Sequence, residues 1–267
     1  SERPAVKMQK GSVTYGQFRD LAVRLARLLA DRGCQRGDRV AVCLPKSIDS
    51  VTALLGVMLA GGAYVPVDPT APAQRQATIA RLAGAKFILT TPELSAAMHD
   101  VAGELEGELT PRIEVAPVGI GDGIRALVAD IAAEVPEAGK VVGADDLAAI
   151  LFTSGSTGVP KGVVLTHGNI AASCTALYGH GFDFGEDDLY LSYLPLAHVY
   201  ERVNGQFICL WQAVPTVFCK VEEVSKYLKK VRPTIMLGVP AVWRKIKDKM
   251  QSEIDGAKGF KAKLLKW

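Results

Sequence analysis

The chain has 267 residues, 49% of them hydrophobic and 22% charged, the balance of an ordinary soluble globular protein. That length buries a substantial core and suits one large or two small α/β units. The net charge of +3 hides an asymmetry: residues 220–267 carry 11 Lys and 2 Arg against 5 acids, a net of +8, and the rest of the chain carries −5. Two readings stay open for this basic stretch, a solvated helix face and a surface that meets anionic lipid or nucleotide. The five cysteines (34, 43, 174, 209 and 219) are odd in number and never form a C-x-x-C pair. They point to reduced thiols in a cytoplasmic protein, not to a disulfide framework or a zinc site. The four histidines show no metal-ligand spacing, so no protein-bound metal is expected. The chain opens at Ser1 without a charged-then-apolar leader, so no signal peptide is expected. Its longest uncharged run, Ser50–Val67, is broken by Gly61, Gly62 and Pro66 and reads as a buried helix and strand, not a membrane span.

In chain order, Thr14–Arg32 puts Phe18, Leu21, Leu25, Leu28 and Leu29 on one helical face, with Gly33 as the stop. Arg39–Leu44 reads as a strand. Ser47 reads as the cap of a helix that ends at Gly61-Gly62. Ala63–Val67 is a strand closed by Asp68-Pro69, Ala73–Leu82 a helix and Lys86–Thr90 a strand. This rhythm predicts mostly parallel sheets with helices on both faces. Gly103–Pro111 reads as a surface loop, Gly123–Glu134 as a short amphipathic helix, and Val135–Asp146 as a linker. The linker divides the chain into a first α/β portion, 1–145, and a second, 146–267.

Leu151–Ile170, LFTSGSTGVPKGVVLTHGNI, opens the second portion. Ala148–Phe152 is a buried strand, and Gly162–Leu165 a second strand leaving the loop as a hairpin. Between them, glycines let backbone N–H groups approach a bulky anion, the hydroxyls of Thr153, Ser154, Ser156 and Thr157 add donors, and Lys161 adds a mobile charge. That inventory suits a polyphosphate, though loops of this composition are also plain turns. Lys161 lies between Pro160 and Gly162 ahead of a strand, so the Walker pattern of P-loop ATPases fits poorly. His167-Gly168-Asn169 is expected to cap a helix over Ile170–Tyr178, with His167 capping or packing. Asp187–Leu194 reads as a strand, and LPLAHVYER, Leu194–Arg202, follows it. Pro195 stops the strand and a helix is expected from about Ala197, which puts His198 and Tyr200 at a strand end, where ligands of α/β sheets collect. From the residues alone, His198 is either a core histidine or a site residue.

The decamer Thr153–Gly162 resembles the Ser/Thr/Gly-rich phosphate loop of the adenylate-forming superfamily, which holds acyl-CoA synthetases, peptide-synthetase adenylation domains and luciferases. LPLAHVYER and Arg232–Ile246, RPTIMLGVPAVWRKI, resemble the long-chain fatty acyl-CoA synthetases; Leu59–Pro69, LAGGAYVPVDP, is closer to peptide-synthetase-like and aryl-CoA-ligase-like members. The resemblance implies the N-terminal part of the large domain of such an enzyme. ATP would bind through Thr153, Ser154, Gly155, Ser156, Thr157, Gly158 and Lys161, with Lys161 and His198 catalytic. The acid would lie against His198, Tyr200, Gly238, Val239 and Pro240. Tyr200, Glu201 and Arg202 equally suit a structural ion pair with aromatic packing. Ala241 stands where a basic residue is common and Arg244 where an acid is common, two departures from that pattern.

The implied reaction joins a fatty acid to ATP, giving acyl-adenylate and pyrophosphate, and coenzyme A then displaces AMP. Mg²⁺ would be held mainly by segments beyond this chain, since neither Tyr-Gly-x-Thr-Glu nor Thr-Gly-Asp occurs in it. A fragment inactive alone is therefore expected, with the missing C-terminal part, ATP, fatty acid and coenzyme A as partners. No nucleic-acid partner is expected. The localisation expected is cytoplasmic, with peripheral membrane contact through 220–267 as the open alternative. A peptide-synthetase adenylation fragment and a non-catalytic module keeping part of the fold remain as rival readings.

Overall fold

The structure, a computed structural model, describes residues 2–8, 11–102, 111–115, 122–153, 159–180, 184–185 and 187–256. The chain divides into two compact units, 1–235 and 236–267.

The first unit opens with an antiparallel pair, β1 (Pro4–Met8) and β2 (Gly11–Thr14). Helix α1 (Tyr15–Asp31) follows, and Thr14 caps it: its hydroxyl accepts from Gln17 N at 3.2 Å while Gln17 accepts from Thr14 N at 3.0 Å. This reciprocal box satisfies two otherwise orphaned donors. Strand β3 (Arg39–Cys43) leads to α2 (Ile48–Leu59), which Ser47 caps in the same way through Ser50. The helix ends at Gly61, whose φ of +79° suits glycine, and a Cβ there would lie 2.9 Å from the Ala138 carbonyl oxygen. Then come β4 (Ala63–Pro66), α3 (Ala73–Leu82), β5 (Ala85–Thr90), α4 (Pro92–Ala102) and β6 (Arg112–Glu114). After α5 (Gly123–Leu127) and the single turn α6 (Glu137–Lys140), β7 (Leu147–Thr153) and β8 (Lys161–Thr166) form an antiparallel hairpin.

The six strands from β3 to β8 run in the order β6-β5-β3-β4-β7-β8, parallel throughout except at β8. One face packs Ala41, Val65 and Ile88 against Ile79 of α3 and Met98 of α4. The alternate residues Val40, Val42 and Tyr64 are buried as well, and α2 packs against β3 and β4, so both faces are covered, as a parallel sheet requires.

Helix α7 (His167–Gly179) leads to β9 (Tyr190–Ser192), a π-helical segment (Tyr200–Phe207) that runs into α8 (Ile208–Trp211), and β10 (Thr216–Phe218). A 3₁₀ turn at Val221–Glu223, α9 (Val224–Val231) and β11 (Ile235–Met236) complete the second sheet, ordered β11-β9-β10-β1-β2, with β10 parallel to β1 and β9. Its core joins Val6, Val13 and Phe218 to Phe18 of α1 and Val51 of α2. In the second unit, α10 (Pro240–Asp255) starts with Pro240 in its first turn, where the missing N–H costs nothing.

Five sequence expectations change in the structure. The helix expected over Gly123–Glu134 stops at Leu127: once Ile124 and Val128 are buried, the residues that follow are mostly exposed and only turn. The linker 135–146 contains α6. The strand expected over Asp187–Leu194 shrinks to Tyr190–Ser192, because the Leu189 carbonyl is taken by the N–H groups of Thr234 and Ile235. The helix expected from Ala197 begins at Tyr200, after a turn in which His198 N donates to the Pro195 carbonyl at 3.1 Å. The cap of α7 is Thr166, not His167-Gly168-Asn169: Asn169 N donates to its hydroxyl and Asn169 Oδ1 accepts from its N–H. Most of the loop expected over Gly103–Pro111 lies outside the described residues. All five cysteines are buried free thiols. Among the described residues no helix is long and apolar enough to cross a membrane.

Candidate active site

The register of β7 and β8 makes Thr153 and Lys161 cross-strand partners at the loop end of the hairpin, and both side chains are exposed. One step inward Gly162 faces Phe152, where a Cβ would lie 2.9 Å from Ile150 Cγ2 and 3.3 Å from the Phe152 ring. Glycine thus lets the hairpin close over a large apolar pair, which presents Lys161 at its tip. Ser154, Gly155, Ser156, Thr157 and Gly158 lie outside the described residues. Because β7 runs parallel to β4, the hairpin tip lies at the carboxyl end of that sheet, the end at which α/β folds gather ligands.

The turn after β9 carries His198 and Tyr200. His198 is exposed, and its Nδ1 accepts from Tyr200 N at 3.2 Å. That bond assigns the ring proton to Nε2 in the neutral tautomer, making Nε2 a donor to an incoming anion. Arg202 N closes the turn on the His198 carbonyl at 3.0 Å.

Beneath this turn sits a charged network that sequence reasoning left as an open structural pairing. Glu201 is fully buried. It accepts from Tyr190 OH at 2.7 Å and from Ser192 Oγ, and Gln206 Nε2 donates to that Ser192 hydroxyl at 3.2 Å. Lys46, from the loop between β3 and α2, lies 3.8 Å from Glu201 and donates to the Leu194 carbonyl at 2.8 Å. Burial pushes the Glu201 carboxyl up against the pull of Lys46 and its hydroxyl donors. Burial also brings the Lys46 ammonium down to about 8, with Glu201 opposing. Arg202 is 4% exposed, stacks 5.5 Å over the Tyr64 ring, and leaves Nε and Nη1 without a hydrogen-bond partner. The π-helical winding places Glu201, Arg202, Gly205 and Gln206 all on the buried side. Such winding recurs at functional sites.

Above the network opens a cavity of about 900 Å³ between the carboxyl ends of the two sheets. Leu44 and Lys46 enter after β3, Val67 and Asp68 after β4, Tyr193 and Leu194 after β9, and Cys219 and Lys220 after β10. None of the cavity residues was assigned to a site from the sequence; the signal for Lys46 was a lone charge at the end of an apolar strand. Neither Lys161, His198 nor Tyr200 lines the cavity. Gly238, Val239 and Pro240 lie in the second unit, where Val239 precedes α10 and Trp243 Nε1 donates to the Gly238 carbonyl at 3.1 Å. A Cβ at Gly238 would fall 2.3 Å from that indole, so glycine there is explained by local packing. Among the described residues no three His, Cys, Asp or Glu side chains gather to hold a metal. The residues present do not by themselves fit a Mg²⁺ site.

The model of the family described as AMP-binding enzyme matches residues 1–265. The chain is 28% identical over 256 residues to nonribosomal peptide synthetase NPS2 of Ceriporiopsis subvermispora, covering 92% of this chain and 10% of that protein. It is 39% identical over 182 residues to the isonitrile lipopeptide synthase of Streptomyces coeruleorubidus, covering 66% of this chain and 11% of that one. The ATP-bound crystal structure of MatB from Rhodopseudomonas palustris superimposes with a TM-score of 0.79 at 27% identity, over 91% of this chain and 48% of MatB. The chain therefore spans about a tenth of these synthetases and about half of MatB. With its hairpin at the carboxyl end of a parallel sheet and a family match over almost its whole length, the chain belongs to the AMP-binding enzymes, an adenylate-forming family.

Proposed function

We propose that the chain is the front part of a long-chain fatty acid–CoA ligase. Residues 1–145 form the first α/β portion on this reading, and residues 146–267 bring the phosphate loop and the acid side of the site. A carboxylate oxygen attacks the α-phosphorus of ATP, pyrophosphate leaves, and the thiolate of coenzyme A then takes the acyl carbon from AMP. Lys161 and the donors of Thr153–Gly158 neutralise charge on the departing pyrophosphate. The Nε2–H of His198 steadies the carboxylate, and Tyr200, Gly238, Val239 and Pro240 border the acid. When bound, Mg²⁺ would supply further neutralisation of phosphate charge; among the described residues no three carboxylate, imidazole or thiol side chains gather to hold it.

The observation that carries the reading is the run LPLAHVYER, whose Glu201 is locked by Tyr190, Ser192 and Lys46 and so fixes the turn bearing His198. A second reading, a peptide-synthetase adenylation domain, is favoured by LAGGAYVPVDP and by the identity of the chain to peptide synthetases. Pyrophosphate exchange by the full-length protein decides between them. Exchange driven by fatty acids and not by a panel of amino acids is expected, and the reverse would transfer the chain to the second reading. Membrane contact through 220–267 belongs to the same proposal. The exposed Lys229 and Lys230 of α9 also have a local role in its last turn, where cations complement the helix carbonyl end.

A further inference from the structure

The two ends of the six-stranded sheet are built differently. At one end β6 has three residues, and two of them, Arg112 and Glu114, are charged. The second sheet ends in β11, of two residues, and in β2, of four. Short strands and edge charges are the devices that keep a sheet from pairing with another chain. Strand β8 lacks that protection. It runs for six residues, Lys161–Thr166, and among the described residues β7 is its only strand neighbour. Alternate residues along its outer side therefore offer backbone N–H and C=O groups to solvent. Its one charge, Lys161, stands at the first position, and Pro160 lies before the strand. The register shift of the hairpin falls between Leu147 and Ala149 of β7, so no bulge blunts Lys161–Val164. Val163 and Val164 are 47% and 59% exposed, and as neighbours on a strand they point to opposite faces. The edge thus carries apolar β-branched side chains on both sides of an open backbone ladder.

Charge and register set what fits this edge. Laid parallel to a copy of itself and in register, β8 would put Lys161 beside Lys161. Laid antiparallel about a two-fold axis through Val164, it pairs Val164 with its own copy, Val163 with Leu165 and Gly162 with Thr166. The two lysines then fall beyond the paired residues, at opposite ends. The centre becomes a β-branched cross-strand pair, which stabilises antiparallel strands.

We propose that the outer edge of β8 is a docking site for β8 of a second copy of this chain, added antiparallel so that the two six-stranded sheets join. The contact is small, a few backbone hydrogen bonds and the valines of both copies, so a weak dimer is expected. It does not depend on which acid the ligase activates.

The test is analytical ultracentrifugation of the 267-residue chain across the micromolar range, with variants at two exposed valines. Val164 is the proposed centre; Val141, 60% exposed and outside any strand, is the control. Wild type is expected to pass reversibly from monomer to dimer as its concentration rises. Val164→Lys puts like charges opposite each other at the axis and should weaken the dimer at least about tenfold. Val141→Lys should leave it unchanged. The native cysteines are buried free thiols, so an introduced surface cysteine gives a second readout. Under mild oxidation Val164→Cys should form a disulfide-linked dimer, because directly opposite residues lie within disulfide reach; Val141→Cys should not. Circular dichroism checks the fold of each variant, and the cysteine readout decides should Val164→Lys fail to fold. A chain that stays monomeric throughout would overturn the proposal and would leave the edge to another segment of a longer chain. A dimer undiminished by folded Val164→Lys, or one that Val164→Cys cannot lock, would overturn it as well. A failure of fatty-acid-dependent pyrophosphate exchange would leave it standing.

Discussion

The β7–β8 hairpin and the Lys46–Glu201–Arg202 network use the same kinds of group, cations and hydroxyls, in opposite surroundings. Lys161 and Thr153 stand exposed at a hairpin tip, and their fold role ends at the backbone ladder. Glu201 and Arg202 are buried, and three side chains, Lys46 from the loop after β3 and Tyr190 and Ser192 from β9, meet at the Glu201 carboxylate, with Gln206 of the π-helical segment donating to Ser192 behind them. An exposed lysine is free to act on a ligand because the fold does not need it. A buried glutamate that organises a turn is not free, because removing it strands its partners. Charge substitutions in the two regions should therefore fail in different ways, one in rate and the other in stability.

The largest effect is expected at Glu201. Glu201→Ala leaves the Lys46 ammonium facing Arg202 without the carboxylate between them, and leaves the Tyr190 and Ser192 hydroxyls without an acceptor. Breaking a buried pair by removing one partner costs about 3–5 kcal/mol, read as a lower midpoint in chemical denaturation. A loss under 1 kcal/mol would mean that the network contributes little to the fold and would erase the contrast with the hairpin.

Lys161→Ala is the converse case. Its side chain is exposed, so the denaturation midpoint should stay within about 0.5 kcal/mol of wild type. In the full-length protein the adenylation rate should fall ~10²–10³-fold, as when one transition-state donor is lost. A drop in stability matching the drop in rate would place Lys161 among the structural lysines instead.

The two regions also differ in how far they could be read from sequence. The hairpin was legible because its signals are local: an apolar run, a Gly-rich decamer and a β-branched run lie side by side, and Thr153 pairs with Lys161 across them. The cap at Ser47 was legible for the same reason. The buried network was not, since Lys46 follows β3 and Glu201 follows β9, and only the tertiary fold brings them to 3.8 Å. The short β9 and the late start of the helix after Pro195 were missed on similar grounds. Alternation along 187–194 marks which residues are buried, while the backbone ladder is decided by a distant partner, Thr234-Ile235, that takes the Leu189 carbonyl.

A milder probe of the network is Gly205, on the π-helical segment. A Cβ there would lie 2.5 Å from Tyr190 OH and 2.9 Å from its Cζ, the same hydroxyl that donates to Glu201. Gly205→Ala forces the tyrosine aside, so overpacking and a weakened hydrogen bond combine at a cost of about 1–3 kcal/mol. Tyr190→Phe in the same background should relieve part of that strain, because it removes the atom that clashes. If the double variant is no more stable than Gly205→Ala alone, the cost of the added methyl arises elsewhere.

The smallest effect, and the one that best separates the two regions, belongs to His198, because it sits on the boundary between them. Its ring is exposed like Lys161, yet its turn is tied to the buried network through Arg202 N and, one residue back, Glu201. Only Nδ1 is engaged, by Tyr200 N at 3.2 Å, so His198→Ala removes one solvent-facing hydrogen bond and no buried contact. Stability should change by less than about 0.5 kcal/mol. On the proposed reading the carboxylic acid loses one neutral donor, worth about 1 kcal/mol, so its affinity should fall roughly fivefold while ATP affinity is unchanged. His198→Asn, which keeps a donor, should recover part of the loss. Equal weakening of acid and ATP together with a lowered melting temperature would instead make His198 a part of the structural network.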